Sequence, residues 1–245
     1  MEYGLQLYSV RDLTAKDFEG TLKEVAEIGY KYVEPAGFFG YSAEEVDAMM
    51  KKYGLKVSGT HTGWREVLHN TEECIAYHKG IGCDTIIIPG ADIYTREGIE
   101  EFIELVKVAQ PKIEAAGLKL GYHNHCEEFY IHGEKGDLFV PYMELLERTN
   151  INFEIDTYWA YAAGQNPTKL MERIADRLLC IHIKDGLRGG EGKPLGMGTA
   201  PCKDVYKKAV EMGLLMVVES ETCNPTGMAE AEFCHRFLVA QECNS

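Results

Sequence analysis

Short apolar runs along this chain end on side chains that can ligate a metal ion or carry a proton. Residues 5–10 contain Gln6 and Tyr8 and lead to Arg11; residues 31–34 end on Glu34; residues 56–60 run into His61. Residues 118–123 continue as His123-Asn124-His125-Cys126-Glu127-Glu128-Phe129, and residues 152–155 run into Asp156. Residues 178–183 carry His182 and pass to Lys184 and Asp185; residues 214–219 end on Glu219, with Glu221 just beyond. Singly, each has a plain explanation, since an aspartate after a strand usually caps a helix or makes a turn. Four successive runs that deliver Glu, Asp, His and Glu to one edge are different, because a rim of uncompensated titratable groups is costly without an ion. Oxygen ligands plus one imidazole suit Mn²⁺, Mg²⁺, Co²⁺ or Zn²⁺.

The positioning elements follow from periodicity. Apolar strand-like runs alternate eight times with amphipathic segments. The helices are expected over 17–28, 43–53, 71–81, 96–116, 138–148, 167–175, 203–212 and 228–240. Five of these segments stop at a glycine (29, 54, 82, 117 and 213), the usual residue just past a helix end. Ser42 with Glu45 forms a capping-box pattern, and Pro111 predicts a kink or break inside 96–116. Strands joined by helices are parallel, and Val/Ile/Leu-rich strands are buried on both faces. Eight units in 245 residues predict a single (β/α)₈ barrel, an α/β fold with one domain over residues 1–245. An open doubly wound sheet would want a Gly-rich first turn, which is missing. Residues 5–8, 86–88, Ile181 and Val217 are expected to be buried. Alternation in residues 180–184 sends Cys180, His182 and Lys184 into the mouth and Ile181 and Ile183 against helices.

Composition narrows the partners. Lys and Arg number 25 against 39 Asp and Glu, a net charge of −14. That argues against wrapping nucleic acid or docking on an anionic membrane. No apolar run approaches the roughly 20 residues of a membrane span, and the N-terminus lacks a basic region followed by an apolar stretch. Eight cysteines without a CxxC pair read as free thiols. A cytoplasmic protein is expected, and a homo-oligomer is compatible with all of this.

The segments Leu5-Gln6-Leu7-Tyr8-Ser9-Val10-Arg11, Tyr122-His123-Asn124-His125 with Glu128-Phe129, Ile155-Asp156-Thr157-Tyr158-Trp159, His182-Ile183-Lys184-Asp185 and Val217-Val218-Glu219 resemble the xylose-isomerase-like family. More narrowly they resemble its sugar phosphate isomerase/epimerase branch, over nearly the whole chain. The resemblance implies one divalent metal ion on Glu128, Asp156, His182 and Glu219, with Lys184 contacting a substrate oxygen or a carboxylate. It also marks residues 192–198 as a loop after the seventh strand, too irregular for a phosphate loop.

The chemistry expected is isomerisation or epimerisation of a small sugar or keto-acid. With a Lewis acid in place, Glu128 and Glu219 on opposite sides of the substrate exchange the proton next to a carbonyl. His61, His123 and His125 orient hydroxyls or relay protons, and Glu34, Trp159 and Trp64 form a sugar-facing wall. A lyase or dehydratase shares the first proton abstraction. A DNA-repair endonuclease needs more histidines and a basic groove, and a metal-binding sugar receptor needs no paired glutamates or buried lysine.

Overall fold

In a computed structural model, which describes residues 1–243, the apolar runs become parallel strands. They are β1 Gly4–Gln6, β2 Tyr32–Glu34, β3 Lys56–Val57, β4 Thr60–His61, β5 Thr85–Ile88, β6 Lys119–His123, β7 Asn152–Asp156 and β8 Leu178–Ile183. Past β8 come a two-stranded antiparallel hairpin, β9 Asp185–Gly186 with β10 Gly192–Lys193, and the last barrel strand, β11 Met216–Val218. The sheet order is β3-β2-β1-β11-β8-β7-β6-β5-β4. β3 and β4 are two pieces of one crossing, interrupted at residues 58 and 59, so the ring closes there. Ser58 N–H donates to the Val33 carbonyl at 3.0 Å, and Thr62 N–H to that of Ile87 at 2.9 Å. The interruption faces Glu34: a β-carbon at Gly59 would lie 3.0 Å from Glu34 Oε1. The molecule is thus the expected α/β barrel, with its third strand broken.

Helices α1 Arg11–Thr14, α2 Phe18–Ile28, α3 Ala43–Tyr53, α4 Trp64–His69, α5 Thr71–Gly80, α6 Arg96–Ala115, α7 Pro141–Arg148, α8 Thr157–Ala162, α9 Pro167–Arg173, α10 Cys202–Met212 and α11 Gly227–Glu242 surround the ring. The capping box forms at Ser42 and Glu45, and Gly54 and Gly213 take the left-handed conformation at the ends of α3 and α10. α6 runs through Pro111 as one helix. The packing of Ile99, Phe102, Ile103, Val106 and Ile113 against the barrel outweighs the lost backbone bond. Leu5, Gln6, Ile86, Ile87, Ile88, Ile181 and Val217 are fully buried. Tyr8, expected to be buried, is 45% exposed, because β1 stops at Gln6 and residues Leu7–Val10 coil into a single turn at the barrel mouth. Among the described residues no helix is long and apolar enough to cross a membrane. The cysteines are unpaired, and Cys74, Cys83, Cys180, Cys202 and Cys234 are buried.

Candidate active site

Two polar layers occupy the upper part of the barrel. The alternation of β7 points Glu154 and Asp156 to the inner face, and that of β8 does the same for Cys180 and His182. In the lower layer Glu154 Oε1 lies 2.9 Å from His61 Nε2 and 3.0 Å from both His123 Nδ1 and His182 Nε2. Its Oε2 accepts from the Cys180 thiol at 3.0 Å. Glu34 Oε2 accepts from Gln6 Nε2 at 2.9 Å and from His182 Nε2 at 2.6 Å. Burial alone would raise the Glu154 carboxyl, but the three imidazoles hold it well below the usual carboxylate range. Burial and the neighbouring Glu154 charge push Glu34 up. Burial opposes protonation of His182, yet Glu154 and Glu34 raise it well above an ordinary imidazole. His123 goes the other way, driven down chiefly by burial.

The upper layer is the rim. Asp156 Oδ1 accepts from the Trp159 amide at 2.8 Å and so caps α8, while Oδ2 is buried with no hydrogen-bond partner. Glu219 Oε2 accepts from Lys184 Nζ at 2.9 Å and lies 3.4 Å from His182 Nδ1. Lys184 is 1% exposed and also donates to Glu221 Oε2 at 2.7 Å, and Asp156 Oδ2 stands 3.8 Å away. Burial pushes the Asp156 carboxyl up to about 7, against the pull of Lys184. Glu219 is held well below the carboxylate range, because Lys184 and His182 outweigh its burial.

Two groups of ligand atoms converge, each within 4.8 Å: His123, Asp156, His182 and Glu219 at the rim, and His61, His123, Glu154 and His182 below. Of the ligands expected from sequence, Asp156, His182 and Glu219 meet, and His123 completes their group. Glu128 lies outside both groups. Of the Glu127–Glu128 pair it is the buried one, but its Oε1 accepts from the Tyr94 and Tyr122 hydroxyls at 2.9 and 3.0 Å, and its Oε2 from the His125 amide at 2.8 Å. These three bonds tie the carboxylate to the loop after β6. Glu34 sits in the lower layer rather than on a sugar-facing wall. Trp159 lies at the rim with Lys184 4.9 Å over its ring, whereas Trp64 packs on Phe102 of α6 and under Arg65. Glu154 is the residue sequence reasoning missed. The alternation Glu154-Ile155-Asp156 was the signal, since it puts both carboxylates on one face.

A cavity of about 490 Å³ opens beside the rim group. Its walls include Tyr8, Ala36, Gly37 and Phe38 after β1 and β2, His61, Thr62, Gly63 and Glu66 after β4, and Pro89 after β5. His123, His125, Glu219 and Glu221 close the other side. That volume is in the range of small-molecule sites, about 300–1,000 Å³. His125, half-buried, is kept neutral chiefly by that burial.

Asp185, next to Lys184, organises the far edge of the mouth. Its Oδ1 accepts from the amides of Gly186 at 2.7 Å and Ala200 at 3.1 Å. Its Oδ2 accepts from those of Gly196 at 2.9 Å and Gly198 at 3.0 Å. The glycine-rich loop therefore spends its amides on an internal carboxylate. An Asp185→Asn change puts an NH₂ group against N–H donors, at a cost of about 1–3 kcal/mol. The expected result is faster tryptic cleavage after Arg188, the one basic residue of the loop not followed by proline, read by mass spectrometry. An unchanged cleavage rate would show that the loop holds itself.

Residues 22–236 match the xylose isomerase-like TIM barrel family. The chain is 24% identical over 189 residues to an inosose dehydratase of Geobacillus kaustophilus, covering 67% of this chain and 60% of that protein. It is 24% identical over 190 residues to a 2-oxo-tetronate isomerase of Haemophilus influenzae, covering 68% of this chain and 73% of that one. A crystal structure of a sugar phosphate isomerase/epimerase from Parabacteroides distasonis superposes with a TM-score of 0.82 at 24% identity, over 97% of both chains.

Proposed function

Because the chain belongs to the xylose isomerase-like TIM barrel family, we propose that it is a divalent-metal-dependent isomerase or epimerase of a small sugar, keto-sugar or keto-acid. The observation that carries this reading is Asp156 Oδ2, a buried carboxylate oxygen without a hydrogen-bond partner, beside His182 Nδ1 and Glu219 at the edge of the cavity. Buried polar atoms are seldom left unpaired. A donor set of two carboxylates and two imidazoles fits Mn²⁺, Co²⁺ or Zn²⁺ better than the oxygen-preferring Mg²⁺. An ion held by Asp156, His182, Glu219 and His123 would supply Lewis acidity toward a carbonyl and its neighbouring hydroxyl.

The side chains do the rest. Glu219, held ionised by Lys184, takes the proton from the carbon beside the carbonyl. Lys184 keeps its hydrogen bond to the carboxyl oxygen and steadies it while the proton is carried. Returning the proton to the adjacent, former carbonyl carbon isomerises; epimerisation takes its new proton on the opposite face from solvent water, while Glu219 releases the one it removed. With Glu128 engaged by two tyrosines and an amide, and His123 in the ligand group, His125 is the group left to face the cavity from the β6 side. Its neutral imidazole moves the hydroxyl proton. A dehydratase is the second reading, supported by the likeness to inosose dehydratase. It begins with the same abstraction and ends with loss of a β-hydroxyl as water.

The test is proton exchange. EDTA-treated protein, resupplied with Mn²⁺, Co²⁺, Zn²⁺ or Mg²⁺, is given ketoses, inososes and keto-acids in deuterated water, and the products are followed by NMR. Solvent deuterium at the inverted or newly hydroxylated carbon, only with an added ion, is the expected outcome. An unsaturated product assigns the dehydratase. Product that forms with no deuterium wash-in sinks the proton-transfer reading, and exchange at full rate after chelation sinks the metal requirement.

A further inference from the structure

The cavity's charge names its substrate class more narrowly, an inference that rests on the isomerase reading. Its walls carry three carboxylates, Glu66, Glu219 and Glu221, and neither a lysine nor an arginine. Three cations bonded to or beside wall residues are already engaged. Lys184 is shared by Glu219 and Glu221. The Arg11 guanidinium donates to the carbonyls of Tyr8 and Glu221 and lies on the Tyr8 ring. Arg65 turns outward, exposed, to Asp92 and over Trp64. The glycine-rich loop after β8 directs its amides to Asp185 and so offers an anion no cradle. A phosphate or carboxylate lodged in the cavity away from the metal-ligand group would meet Glu66 with no lysine or arginine in the walls to answer it, whereas hydroxyls can donate to Glu66 and Glu221.

We infer that this site takes uncharged polyhydroxylated carbonyl compounds and turns away phosphorylated and carboxylated ones, with Glu66 as the residue that sets the discrimination. Like charges brought face to face penalise the wrong ligand, which is specificity by repulsion. The apolar patch of Ala36, Phe38 and Pro89 offers the C–H face of such a compound a matching surface.

Matched pairs test this on the Mn²⁺-loaded protein: D-fructose against D-fructose 6-phosphate, D-ribulose against D-ribulose 5-phosphate, and D-fructose against 5-keto-D-gluconate. Binding is read by competition saturation-transfer NMR, and turnover by deuterium incorporation. The neutral member of each pair should bind at least about tenfold more tightly. Glu66→Gln should narrow the gap, and Glu66→Lys should bring the phosphorylated member level with its partner or ahead. Equal or tighter binding of the charged members to the unaltered protein overturns the inference, and so does failure of every neutral ketose to bind at tens of millimolar. A preference that survives Glu66→Lys unchanged removes Glu66 from it. Binding preference without deuterium exchange would uphold the charge selection while rejecting the isomerase reading; exchange on phosphorylated ketoses would do the reverse.

Discussion

Replacing Glu219 with glutamine should lower turnover by roughly two to four orders of magnitude, the usual worth of a positioned acid or base. The reason lies in the neighbours. The Glu219 carboxylate accepts from Lys184 at 2.9 Å and faces His182 Nδ1 at 3.4 Å. A glutamine keeps one oxygen for Lys184 or for an ion but takes up no proton at neutral pH. Metal content, read by atomic emission, should therefore fall far less than activity. Glu128→Gln separates the two-glutamate scheme from the one read here. Glu128 bonds to Tyr94, Tyr122 and the His125 amide, so its loss should disturb the loop that carries His125 and lower turnover less than Glu219→Gln. Equal losses in both variants, with the His125 loop unmoved, would return Glu128 to the chemistry. Near-normal turnover in Glu219→Gln would remove Glu219 from it.

The largest effect on stability should come from Glu154, although it does not itself line the cavity. One buried carboxylate answers three imidazoles and a thiol. Glu154→Leu fills similar space but leaves the three rings without their common partner. Removing one member of a buried charged set costs about 3–5 kcal/mol. A drop of that size in urea unfolding, with the slope unchanged, is the expected result. Glu154→Gln should fall between, since its carbonyl oxygen still accepts from one ring. A Glu154→Leu variant within about 1 kcal/mol of the unaltered protein would show that the layer carries no such charge, since isosteric replacements of uncharged hydrogen-bonded groups are often nearly neutral.

Much of this arrangement was legible in the residues. The β-branched run at 86–88 and the glycines at 54 and 213 belong to local rules that tertiary contacts did not override, and so the barrel could be read. Asp156, His182 and Glu219 were legible because each ends a run whose periodicity is plain. Glu128 misled because its carboxylate is taken up by Tyr122 and the His125 amide of its own segment and by Tyr94 from the loop after β5, and residue spacing alone does not report which way the side chain turns. The broken third strand was hidden for a like reason: Gly59 yields to the Glu34 carboxylate, a neighbour across the sheet. Tyr8 looked like core by its apolar neighbours, but a turn at Leu7–Val10 lifted it to the mouth.

That broken strand also marks a place where the barrel's backbone ladder is thin. Elsewhere the ring is joined by strand ladders, from the two paired positions between β1 and β11 to the four between β5 and β6. At residues 58 and 59 it is held by a two-residue strand on either side. Local opening is cheapest where the fewest backbone bonds must part. The flanking segments, Ala36 to Phe38 on one side and His61 to Gly63 on the other, are walls of the cavity. Opening at this break would move the walls at the cavity's entrance and, through His61, one of the three imidazoles that Glu154 holds, so entrance and buried layer are linked.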